Sequence, residues 1–94
     1  MEKDYVNVME EIVYTIVNFL MSGTEYQTFC KCAKCRRDII ALSLNKLPSH
    51  YVTTDEGRNR IYEQLNTPEN RQWINKRIIS AIHVIGKYPQ HDTK

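Results

Sequence analysis

The chain has 94 residues, 41% of them hydrophobic, with 13 basic and 11 acidic side chains and a formal net charge of +2. That is enough for one small domain spanning residues 1–94, too small to make a catalytic cleft within a single copy an expectation. The balanced charge argues against DNA binding through a general electrostatic field.

The first residues, MEKDYVNVMEE, are acidic and polar where a secretory signal would place basic residues and then an apolar core. A cytoplasmic protein is the expectation. The longest mainly apolar run, Ile12 to Met21, includes Thr15 and Asn18 and falls short of the roughly 20 residues that span a bilayer, so no membrane insertion is expected. From Asp4 to Met21, Val6, Met9, Val13, Ile16 and Leu20 recur at three-and-four spacing, which predicts a first helix. Tyr5, Val8, Ile12 and Phe19 form a second stripe beside it. So wide an apolar surface predicts that one part faces the helix's own domain and another a second copy, and Gly23 supplies the stop.

All three cysteines follow within six positions, as Cys30, Cys32 and Cys35 in the pattern C-x-C-x-x-C. A second helix is expected from about Lys34 to Asn45 or Lys46, carrying Ile39, Ile40, Leu44 and Leu47 and ended by Pro48. Thr53 and Glu56 are spaced as a capping box before a short third helix, about Asp55 to Leu65. Thr67 and Pro68 read as N-cap and first residue of a fourth helix, with Ile74, Ile78, Ala81, Ile82 and Ile85 on one face and Gly86 as terminator. No strand pattern or internal repeat competes, so the expected fold is all-α, four helices in one domain.

Three cysteines clustered in one place fit a disulfide framework poorly and a thiolate site in a reducing compartment well. A loop entering a helix can turn them toward one zinc ion, and the helix N-terminus stabilises thiolate charge. Lys31, Lys34, Arg36 and Arg37 would offset that charge locally. Buried thiols without a ligand, a Cys32/Cys35 redox pair and an iron–sulfur cluster are the alternatives, and the last two lack their usual sequence context. The fourth ligand is expected to be His91 in the tail after Pro89, with His83 as the alternative; water, another subunit or His50 follow.

The stretch CKCAKCRRDIIALSLNKLPSHYVTTDEG resembles the ComFB family, through Cys30, Cys32, Cys35, Asp38, Ala41, Leu42, Leu44, Asn45, Leu47, Pro48, Tyr51, Val52 and Gly57. The first helix and the closing YPQHD also look like that family. The resemblance implies a homodimer with one structural Zn2+ per subunit, held at the start of the second helix by the cysteine cluster and a ligand nearer the C-terminus. Some relatives place further cysteines there, whereas this chain has none after Cys35.

The resemblance also implies a regulatory role linked to competence, with cyclic di-GMP as a ligand in some relatives. Arginine offers a fork to phosphate and a plane to a purine. The candidate binding residues are therefore Arg36, Arg37, Arg58 and Arg60, with Tyr51 and Tyr62 for stacking and Asp38 for a guanine edge. Solvated arginines and a Tyr51 packed on the second helix are the structural alternatives. A protein partner is the other candidate, and DNA contact a weaker one. An enzyme is not expected, because a sulfur-rich zinc is a weak Lewis acid and no glutamate accompanies the cluster as in nucleoside deaminases.

Overall fold

The computed structural model describes residues 4–87, so His91 and the YPQHD segment lie outside the described residues. Four helices follow in chain order: α1 (Val8–Ser22), α2 (Ala33–Asn45), α3 (Asp55–Leu65) and α4 (Pro68–Lys87). Two strands unforeseen in the sequence, β1 (Val6–Asn7) and β2 (Tyr51–Val52), pair antiparallel with Val6 opposite Val52. At two residues each they carry no alternation that a sequence pattern could reveal.

Helix α1 starts at Val8, later than expected, because Asn7 is extended and its Oδ1 caps the helix by accepting from the Met9 backbone N–H at 3.2 Å. The same oxygen accepts from the His50 backbone N–H at 2.8 Å. One side chain thus caps α1 and ties it to the loop entering β2. The deeply buried face of α1 is Met9, Val13, Val17 and Met21, not the expected stripe through Val6, which is exposed in β1. Gly23 ends the helix as expected, its N–H bonding the Leu20 carbonyl.

Helix α2 lies between α1 and α4 and makes most of the contact between helices. Ile39 of α2 joins Val13 and Val17 of α1 and Ile74, Ile78 and Ile82 of α4 in one core. Each such side chain contributes about 1.5–3 kcal/mol by leaving water. The caps of the last two helices are clear in the coordinates. The hydroxyl of Thr54 accepts from Gly57 N–H at 3.0 Å, so the N-cap stands one residue beyond the Thr53 expected, and Thr67 accepts from Asn70 N–H at 3.2 Å as expected. Gly86 does not terminate α4, which continues to Lys87. A Cβ there would stand 2.6 Å from two carbons of the Phe29 ring, so Gly86 lets the loop before α2 lie directly on α4.

Candidate functional site

The cysteine loop is shaped by the start of α2. Cys32 is the N-cap of that helix, and its Sγ accepts from the Cys35 backbone N–H at 3.4 Å. Cys35 sits in the first turn with its side chain in the core, while Cys30 and Cys32 are exposed. The three sulfurs lie within 4.8 Å of one another, and no disulfide joins them.

This arrangement fits a tetrahedral metal with thiolate ligands. Zinc–sulfur bonds of roughly 2.3 Å place sulfurs about 3.8 Å apart along a tetrahedral edge, a distance reached here by small side-chain adjustments. Electrostatics act oppositely on two of the thiols. The Cys35 backbone N–H, and then the Cys30 thiol, hold Cys32 below the ordinary thiol pKa. Burial, reinforced by hydrogen bonds to the other two thiols, pushes Cys35 up to about 12. An adjacent cation would allow Cys35 to be buried as thiolate.

A cavity of about 400 Å³ opens beside Cys30 and Cys35, walled by Phe29, Ile82 and Gly86. Ile85 of α4 also borders this cavity. His83 is exposed on α4, and its ring meets Phe29 at 5.6 Å and Tyr26 at 6.0 Å, edge to face. Its nitrogens are not among the clustered ligand atoms. His50 sits at the β2 end of the molecule, its carbonyl accepting from Val8 N–H at 2.8 Å.

The other candidate residues fall into two groups. On α2, Arg36 donates to Asn18 Oδ1 at 3.2 Å, Asp38 pairs with Lys34 at 2.7 Å, and Arg37 is exposed. Around β2 and α3, Arg58 pairs with Glu11 at 2.7 Å and lies over the Tyr62 ring, while Arg60 is exposed. Tyr51 is 62% exposed and meets Tyr5 edge to face at 5.7 Å.

Tyr51, Arg58 and Tyr62 share a cleft of about 620 Å³ with Tyr5, Tyr14, Glu10 and Glu11. Glu11 fixes its floor, accepting from Arg58 Nε and from the Tyr62 hydroxyl at 3.2 Å. Burial, then the Glu11 charge, raises the Tyr62 pKa, and the Glu11 hydrogen bond raises that of Arg58. Tyr5, Tyr14, Glu10 and Glu11 of this cleft are not among the site residues expected from the sequence. The available signal was two tyrosines and two carboxylates near the start of one helix.

The family profile described as late competence development protein ComFB matches residues 6–89. The solved structure of the late competence protein ComFB from Bacillus subtilis covers 96% of this chain and 99% of its own, with a TM-score of 0.77 and 22% identity. At that identity the likeness speaks for the fold alone. No curated protein matches the sequence closely enough to count as a relative.

Proposed function

Because this chain belongs to the ComFB family, we propose that it is a non-enzymatic regulatory protein, a homodimer stabilised by one Zn2+ per subunit, that acts by binding a cyclic dinucleotide. The observation that carries the proposal is the gathering of three sulfurs at the start of α2 in a chain of this family. Cys30, Cys32 and Cys35 would hold the ion, with His91 as fourth ligand and His83 as the alternative. The ion would supply a cross-link between the cysteine loop and the chain after α4. Among the described residues no carboxylate belongs to the sulfur cluster, which favours a structural role over hydrolysis.

The dimer reading rests on α1. Phe19 is 76% exposed and continues the half-buried stripe of Ile12 and Ile16. Beside that stripe runs a mostly apolar groove of about 380 Å³ that includes Leu65 and Ile74. A second copy related by a two-fold axis can place Phe19 against this groove reciprocally.

For the ligand, cyclic di-GMP, the guanidiniums of Arg37 and Arg60 are exposed, whereas Arg36 and Arg58 are engaged by Asn18 and Glu11. The two groups of residues, Arg36, Arg37 and Asp38 against Tyr51, Arg58 and Arg60, favour a site completed by the second copy. Calorimetric titration with cyclic di-GMP tests this. Saturable binding is expected, weakened at least tenfold by Arg37→Ala or Arg60→Ala, consistent with loss of a charge-assisted phosphate contact. No heat from cyclic di-GMP would leave the second reading, an adaptor for a protein partner, which the exposed tyrosine cleft favours. DNA contact would instead give a complex that weakens steeply with salt.

A further inference from the structure

We propose that the cleft between α1, β2 and α3 is a docking site for an arginine-bearing basic segment of a partner protein, with tyrosine faces and carboxylates recognising the guanidinium. This deepens the protein-partner reading; Tyr51 and Arg58 of the cleft are also offered above to cyclic di-GMP, so the two occupants would compete there.

Two observations carry it. Tyr5, Tyr14 and Tyr51 are 53%, 60% and 62% exposed and line one cleft, although large aromatic side chains gain most by burial. Aromatic faces left in water together with carboxylates form a surface suited to a cation, which is drawn to the negative face of each ring. The charge of the cleft agrees. It runs into a second cleft of about 510 Å³, the two sharing Tyr5, Glu11 and Arg58. Along both, Asp4, Glu10, Glu11 and Asp55 face Arg58 as the one basic residue of the lining. The chain as a whole is net positive, so this trough is a local reversal of sign.

Arg58 does not cancel the reversal. It is committed to Glu11 and stacked over Tyr62, with its Cζ 5.3 Å from the ring centre. Glu10 is exposed at the rim and has no ion pair among the described residues. An incoming guanidinium can therefore pair with Glu10 while stacking on a tyrosine, in the manner Arg58 displays within the protein. The joined clefts, of about 620 and 510 Å³, favour an extended peptide over a single small cation. The cleft adjoins the proposed dimer groove at Thr15 and Tyr62 but opens on another side of α1. Tyr14 stands about 200° round α1 from Ile12 at roughly 100° per residue.

The test uses the isotopically labelled full chain and an end-blocked Gly-Arg-Gly-Arg-Gly peptide, followed by nuclear magnetic resonance. Saturable shifts are expected at the amides of Tyr5, Asn7, Glu10, Tyr14 and Tyr51, reduced by salt and absent with the same peptide carrying Glu for Arg. Glu10→Gln with Tyr14→Ala should weaken binding at least tenfold, and Glu10→Gln alone, at an exposed position, should weaken it measurably without altering the fold. Shifts confined to another face would remove this cleft but keep a protein partner, and no shifts anywhere would remove both. Spermine binding as tightly as the peptide would make the occupant a polyamine, and a loss of dimer mass in Tyr14→Ala would make it the second copy; either overturns the proposal.

Discussion

Cys35 is where the sequence of this protein commits most to one chemistry. A thiol buried in the core and pushed up to about 12 stays neutral in the metal-free chain, so its contribution to stability is fully present below the unfolded thiol pKa. It is lost as pH rises through about 12. Metal-free protein should therefore lose melting temperature on the alkaline side of the ordinary thiol range, and zinc-loaded protein, whose Cys35 is already thiolate, should lose less. Thermal melts with and without chelator across that range check it; equal loss in both would count against Cys35 as a ligand. Cys32 has the opposite sign, since its lowered pKa gives a contribution present above the unfolded value and lost as pH falls through the folded one. Zinc should accordingly leave on acidification. A separate outcome concerns Ser43, which is fully buried with no hydrogen-bond partner for its Oγ among the described residues. Ser43→Ala should be neutral or stabilise by up to about 1 kcal/mol, read from denaturant unfolding, because a buried hydroxyl without a partner costs about that much.

The cysteine cluster is legible in the sequence because its members are local, three within six positions at a helix start. The tyrosine cleft is not, because Glu11 meets Arg58 and Tyr62 across 47 and 51 positions of chain, and no local pattern encodes such a meeting. For the same reason the fourth ligand is unresolved by spacing alone.

Helix existence was readable from periodicity and helix ends from caps, as Thr67 and Pro68 illustrate. What misled was context. Gly86 has the composition of a stop signal, yet it is retained inside α4 because Phe29 occupies the space a Cβ would need. Gly86→Ala should thus destabilise by about 1–3 kcal/mol through overpacking, against a helix-propensity gain of about 1 kcal/mol. It should also weaken zinc binding, since Phe29 precedes Cys30; competition with a chromogenic chelator measures this. Thr54→Ala removes the cap of α3 and should cost about 1 kcal/mol. Its effect should stay local to α3, leaving zinc affinity unchanged.

At the scale of the whole molecule, α1 buries one face in its own core and leaves Phe19 in water on another. No helix among the described residues is long and apolar enough to cross a membrane, so the exposed ring is not explained by a span. The proposed second copy would cover it, and Phe19→Asp should then convert dimer to monomer in light scattering while the zinc content stays at one per chain. In the proposed assembly, metal and dimer are both built into this chain. Native mass spectrometry of the purified protein tests that most directly. The expected species is a dimer with two zinc ions that loses one ion per chain on His91→Ala and keeps both on His50→Ala; a folded, metal-free monomer would contradict it.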